Sequence, residues 1–425
     1  MRRTKERFAR HSRDSPLTPE IARIGGFYHL AWPEWKVNVD ASRVYSHSEG
    51  PTTAELHFQS MNGPQAIHLA RPRVNLLAPR SLKQLADMLT ERLEGPPWEE
   101  IMEQVAYHVL RLHREGEPAH EINTLEKVQE PPFLVWPLLR EKRPVITFGA
   151  GGSLKSYTAL VLAITAMLPW TENPLGLKPQ VKPTLPLYLD WESEESEVTW
   201  RAQCIMRGMD LGHLPLWYRR CYQPLALDVE EVQRLVVTHN IGLVIVDSLG
   251  LACGGDLNAP APTMAFFAAV RALGVTSLIV AHETKDETKR RTPFGSVYFF
   301  NLARSVWWAK NTQEEGADRA TILLKHTKAN QGRLERTLAF EFHFGPDWTK
   351  VKAVDPRGLA TYVGGLSLPK RIPAMLLTGA MHITDIVEET GASENTVSKT
   401  LSILNKQGIV IKLGEGRWGV AADEG

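Results

Sequence analysis

Apolar residues recur along the chain in more than one rhythm, and the changes of rhythm divide it. Segments 54–58 and 66–69 alternate apolar with polar positions. They are separated by the turn formers Glu49-Gly50-Pro51 and Asn62-Gly63-Pro64, which predicts a small antiparallel sheet between Ser42 and Leu77. The period then lengthens. Leu82, Leu85, Met88, Leu89 and Leu93 recur at helical spacing, and so do Ile101, Val105, Val109 and Leu112 after Trp98. Residues 20–115 therefore read as an α+β accessory domain behind a flexible basic tail at 1–19, its leucine and aromatic positions as core. A polar stretch closing on Pro131-Pro132 marks 116–132 as a linker.

Beyond the linker the apolar runs become short and nearly continuous, as in strands buried on both faces of a parallel sheet. Runs at 145–148, 185–189, 243–246 and 277–280 each end in polar or glycine-rich sequence. This predicts an α/β domain over 133–355. From Leu366 the rhythm is helical again, with a helix at 370–378, a second at 383–389, a turn at Gly391-Ala392-Ser393 and a third at 394–406. Thr384 and Ser393 are the candidate N-caps. Segments 409–413 and 418–420, joined through Gly414-Glu415-Gly416, predict a two-stranded wing, so 366–422 is similar to a winged-helix domain.

Composition adds little to this picture. The 425 residues suffice for several domains, and 43% hydrophobic with 23% charged residues is ordinary for a globular chain. A net charge of +1 excludes a uniformly basic protein but leaves room for local basic paths. Cys204, Cys221 and Cys253 are few, odd in number and without metal-ligand spacing, which fits a reducing cytoplasm. The N-terminal MRRTKERFARHSRD has no apolar core behind it, so it does not read as a secretory signal, and no run is long enough to predict a membrane span.

Candidate chemistry sits at the strand ends. The run 145–148 leads into Gly149, Gly151, Gly152 and Ser153, then Lys155 and Ser156 open a helical apolar run. Such a loop curls backbone N–H groups around phosphate oxygens, with the lysine supplying charge and the serine hydroxyl joining a magnesium shell. Leu154 stands where the usual spacing wants glycine, and an ordinary glycine-rich turn is the plainer alternative. Because ligands gather beyond the carboxyl ends of parallel strands, Glu192 after 185–189 is a candidate to orient a water, or a solvated acid. Asp247 after 243–246 has the Walker B position for holding a metal-bound water. His282 after 277–280 is placed to sense a terminal phosphate, or is structural. Lys285, Lys289, Arg290 and Arg291 then form a basic loop that suits a nucleic-acid backbone or plain solvation.

GAGGSLKS, LYLDWE, VIVDS, VAHETK, GSVYFFNLARSVWW and KHTKANQG, in this order, resemble the core of RecA-like P-loop ATPases, most closely the plasmid RepA-type hexameric replicative helicases. The resemblance runs over 133–344. It implies that Lys155 and Ser156 bind ATP and Mg2+, that Glu192 is the catalytic carboxylate, Asp247 the Walker B acid and His282 the γ-phosphate sensor. It also implies that Arg304 is an arginine finger and Lys328 a second cation, both acting on a neighbouring subunit's nucleotide.

The expected function is thus an ATP-dependent DNA helicase in a hexameric homo-oligomeric ring, serving replication of a phage, plasmid or other mobile element. It would engage single-stranded DNA, and duplex DNA through Asn395, Ser398, Lys399, Ser402 and Lys406 of the winged helix. From Leu366 onward six Lys and Arg face seven Asp and Glu, so protein docking stays open for that domain. The alternatives are a RecA-like ATPase that binds DNA without unwinding it and a DNA-binding regulator with a decayed P-loop.

Overall fold

Alternation along the N-terminal strands places one face in a core. In β4 (Thr52–Ser60) every second residue is buried, from Thr52 to Ser60. The strand pairs on one side with β3 (Val37–Ser46) and on the other with β5 (Ile67–Ala70) and β6 (Arg73–Asn75). Outward from β3 lie β2 (Phe27–Trp32) and β1 (Glu20–Ile24), all antiparallel. The sheet therefore begins at Glu20, well before Ser42, and a short 3-10 turn at Pro33–Trp35 separates β2 from β3. Helices α1 (Pro79–Arg92) and α2 (Trp98–Glu115) bury Leu85, Leu89, Trp98, Ile101, Val105 and Val109 against Trp32, Val39, Leu56 and Phe58. The computed structural model describes residues 17–24, 27–46, 50–115, 119, 121–122, 130–169, 172–180, 182–284, 292–313, 315–330, 332–359, 362, 366–377 and 379–421.

By backbone contacts the chain forms two compact units. The first is 1–130 with 225–239 and 268–274; the second is 131–224, 240–267 and 275–425. In the first, the helix Leu225–Thr238 meets the sheet at Arg43, whose amide donates to Glu230 at 2.6 Å.

The second unit is built on β7 (Pro144–Gly149), whose six residues are all buried. A loop leads from it to α3 (Lys155–Ala166), a helix apolar on nearly every side because it is enclosed in the core. Then come β8 (Leu185–Asp190), α4 (Glu195–Gly208), β9 (Trp217–Arg220), β10 (Ile241–Asp247) and β11 (Thr276–His282). Further on lie α5 (Val297–Leu302), β12 (Ser305–Thr312), β13 (Arg319–Ala329), β14 (Leu338–Phe344) and β15 (Thr349–Ala353). The strand order is β9-β8-β10-β11-β7-β12-β13-β14-β15. Pairing is parallel from β9 to β12 and antiparallel beyond. The carboxyl ends of β8, β10, β11 and β7 therefore lie along one edge.

At the C-terminus, α6 (Leu368–Leu376), β16 (Met381–His382), α7 (Ile383–Thr390), α8 (Glu394–Lys406), β17 (Val410–Lys412) and β18 (Arg417–Val420) enclose a core of Ile372, Ile386, Val397, Leu401, Leu404 and Trp418. Ser393 caps α8 as expected, its hydroxyl accepting from the Thr396 amide. The cap of α7 is His382 rather than Thr384. Its ring accepts from the Thr384 amide while Asp385 accepts from the His382 amide, a capping box built on imidazole. Among the described residues no helix is long and apolar enough to cross a membrane.

Candidate active site

The loop after β7 must pass close to the neighbouring strand. A Cβ on Gly149 would lie 2.2 Å from the Ala309 carbonyl oxygen of β12, so no other residue fits. Gly152 takes φ +70°. Leu154 takes φ 58° and ψ 21°, the left-handed conformation a glycine usually supplies before the lysine. The loop thus keeps its shape with a leucine in it. The Leu154 side chain is half-buried and packs on the core beneath. Asn311 of β12 donates to the Gly152 carbonyl at 3.1 Å and ties the loop to the sheet.

Lys155 folds over this loop. Its ammonium donates to the carbonyls of Gly149 (3.1 Å) and Ala150 (2.6 Å) and to the Ser153 hydroxyl (3.0 Å). Burial lowers its pKa, while Asp247, Glu192 and Glu283 push it back up. All three of its donors are engaged, so holding phosphate means exchanging these neutral acceptors for charged oxygens, which make the stronger hydrogen bonds.

Asp247 ends β10 almost wholly buried. Its Oδ2 accepts from the Tyr188 phenol at 2.5 Å, whereas its Oδ1 is buried without a partner among the described residues. Burial raises its pKa; hydrogen bonds from Tyr188 and Ser156 pull it down, and Glu192 and Asp190 raise it again. A buried carboxylate oxygen left open beside the Ser156 hydroxyl is the donor set a magnesium ion takes, so these residues fit that ion.

Asp190, fully buried at the end of β8, is satisfied locally. It accepts from the amides of Glu192 (2.9 Å) and Ser193 (2.8 Å) and from the Tyr218 hydroxyl (3.1 Å). That turn aims Glu192 at the cleft. Its Oε1 meets the Ser248 hydroxyl at 2.8 Å and His282 Nε2 at 3.3 Å, with both side chains partly open to solvent. A cleft of about 240 Å3 is lined by the loop, Glu192, Asp247 and His282, together with Tyr157 and Arg201. Lys155, Ser156, Glu192, Asp247 and His282, from four strand ends, therefore share one cleft.

Arg304 and Lys328 are not part of it. Ser305 pairs with Val145 in parallel register, so Arg304 stands at the opposite edge of the sheet, and it is exposed there. Lys328 donates at 2.7 Å to each of the carbonyls of Phe300, Asn301 and Ala303. Lys285, Lys289, Arg290 and Arg291 lie outside the described residues. Asn395, Ser398, Lys399, Ser402 and Lys406 are all exposed on α8.

Residue-by-residue reading passed over Tyr188, Asn311 and Arg201. A tyrosine inside an otherwise apolar buried strand is a signal for the first, since a buried phenol needs an acceptor. Asn311 and Arg201 carry no local signal. Arg201 reaches the cleft from α4, ion-paired with Glu197 and 5.1 Å from the Tyr157 ring centroid.

Comparison with known proteins follows this geometry. A family model described as an AAA domain matches residues 112–288. The core is a RecA-like P-loop ATPase fold. A second model, described as a bacterial regulatory protein of the arsR family, matches 371–412, within the winged helix. No curated protein matches the chain. Among solved structures, the KaiC-like protein PH0186 of the hyperthermophilic archaeon Pyrococcus horikoshii OT3 is 14% identical over 51% of this chain and 93% of its own, with a TM-score of 0.34. The chain thus joins a RecA-like P-loop ATPase core to an N-terminal α+β domain and a C-terminal winged helix.

Proposed function

We propose that this protein is an ATP-dependent DNA helicase or translocase of the RecA-like hexameric type, acting in replication of a phage, plasmid or other mobile element. One observation carries the reading. Arg304 precedes β12 at the sheet edge opposite the cleft, too far along the sheet to serve its own nucleotide, which supports action on a neighbouring subunit's.

In this reading the loop amides and Lys155 hold the ATP phosphates. Ser156 and Asp247 would hold magnesium, which when bound neutralises phosphate charge. Glu192 orients the attacking water and accepts its proton, and His282, 3.3 Å from Glu192, exchanges that contact for the γ-phosphate. A neighbour's Arg304 stabilises charge developing on the transferred group. The loop bearing Lys285, Lys289, Arg290 and Arg291 meets the single strand, and Asn395, Ser398, Lys399 and Lys406 meet duplex DNA. The domain limits given above, 20–115, 133–355 and 366–422, belong to the same proposal.

The test is ATP turnover with and without single-stranded DNA, and strand displacement on a forked duplex, against Lys155→Ala as the blank. No stimulation by the strand together with no displacement would remove the helicase reading. One feature favours a second reading. The winged helix exposes Ile403, Ile409, Ile411 and Leu413, which suits docking of a protein and an ATP-gated assembly that binds DNA without unwinding it. Under that reading Glu192→Gln leaves assembly on DNA intact and displacement is absent even in the unaltered protein.

A further inference from the structure

Ser248 follows Asp247 at the end of β10 and stands at the N-cap of the short helix Leu249–Cys253, its carbonyl accepting from the Ala252 amide at 3.0 Å. A serine in that place ordinarily turns its hydroxyl to an amide of the first helical turn. Here the side chain makes no such bond. The hydroxyl donates instead to Glu192 Oε1 at 2.8 Å, across to the end of β8. Ser248 is only 1% exposed, so its hydroxyl is desolvated for a contact outside its own helix.

Backbone fixes the distance between the two residues. The Trp191 amide donates to the Asp247 carbonyl at 2.7 Å, a bond between the residues directly before Glu192 and Ser248. Glu192 is held at Oε1 alone, by Ser248 and by His282 Nε2 at 3.3 Å, and its Oε2 has no partner among the described residues. These two partners differ in freedom. The His282 side chain is 50% exposed and can turn to a phosphate, whereas the enclosed serine cannot follow. Charge makes a tether necessary. Asp247 repels the Glu192 carboxylate and Lys155 attracts it. A bound polyphosphate takes up the Lys155 charge and brings more negative charge than one divalent ion cancels, which drives the partly exposed Glu192 toward solvent just when it must face the water.

We propose that Ser248 is the positioning residue of the Glu192 carboxylate: its hydroxyl keeps hold of Oε1 through turnover while His282 lets go, which leaves Oε2 turned to the attacking water. The proposal rests on the reading of Glu192 as the carboxylate that orients this water. Ser248 touches neither nucleotide nor water in this scheme and takes no proton, so its whole effect passes through Glu192.

The experiment uses the full-length protein with Ser248→Ala, Glu192→Gln and the two combined, read by ATP turnover, ATP affinity and melting. Ser248→Ala removes a hydroxyl that caps no helix, so melting should move by at most about 4 °C. Its kcat is expected to fall about tenfold or more while KM and affinity for ATP stay within about twofold, because the tether acts on the bound water rather than on the nucleotide. Ser248→Cys, nearly the same shape with a weaker donor, should fall between the two. Added to Glu192→Gln, Ser248→Ala should cost nothing further. A kcat for Ser248→Ala within about twofold of the unaltered protein, with Glu192→Gln impaired, overturns the proposal. So do losses that multiply in the double variant, and so does a kcat that falls together with ATP affinity and a melting drop of about 10 °C, which would make the serine a structural support. Unimpaired turnover in Glu192→Gln removes instead the reading of Glu192 itself.

Discussion

Leu154 carries two opposing contributions that substitution separates. It holds φ 58° directly before Lys155 while its side chain packs against the core. A residue with a Cβ costs about 1–2 kcal/mol in that conformation. Half-burying the leucine returns about 1 kcal/mol. Glycine removes both and adds about 0.4–1 kcal/mol through the freer unfolded chain, so Leu154→Gly changes stability by less than about 1 kcal/mol. Alanine keeps the strain and loses the packing. Leu154→Ala should therefore fall about 1 kcal/mol below the unaltered protein, at or below the glycine variant. At an unstrained helical position alanine exceeds glycine by about 1 kcal/mol, so the order here is reversed. The assay is thermal unfolding of the three proteins, following the transition that added ATP moves upward, since ligand binding identifies the unit carrying the cleft. With about 2–4 °C per kcal/mol, the comparison is resolvable. If Leu154→Ala melts clearly above Leu154→Gly, left-handed strain is not what this position bears.

Tyr188→Phe removes one of the hydrogen bonds that hold down the pKa of Asp247, which burial already raises. The Asp247 carboxyl then protonates at higher pH, so the acid limb of the kcat profile moves up; an unmoved limb refutes the role. Lys328→Met frees the three carbonyls ahead of Arg304 and should lower kcat, yet combined with Arg304→Ala it should cost nothing further. Losses that multiply would instead give Lys328 a phosphate contact of its own. His326 is stacked at 4.3 Å on Trp307, and burial pushes its pKa down to about 4. Its folded value lies below the unfolded one, so the unfolded state takes up the proton first as pH falls. Stability is complete above about pH 6.5 and declines toward pH 4, by about 3 kcal/mol in all, and His326→Gln should flatten that slope. An equally steep decline in the variant would assign it to other groups.

The cleft was legible where chemistry coincided with the end of an apolar run. Glu192, Asp247 and His282 each follow a buried strand, and parallel pairing brings such ends to one edge whatever the intervening sequence. The helix cap at residue 382 was not legible, because imidazole seldom takes the place of a hydroxyl or carboxylate there. The early start of the N-terminal sheet did leave a mark, the turn-forming pair Gly25-Gly26 between β1 and β2, which residue-by-residue reading passed over.

By itself the sequence determined the order of elements, the glycine loop with its lysine and serine, and the acids at the strand tips, because strand and helix periods and backbone sterics act between near neighbours in the chain. Tertiary structure alone decided that Asp247 keeps one oxygen open while Tyr188 fills the other, and that Lys328 spends its donors within the chain. It also decided that Arg304 stands at the sheet edge opposite its own cleft. These depend on which strands become neighbours and in what register, a property of packing between residues far apart in sequence that no local pattern encodes.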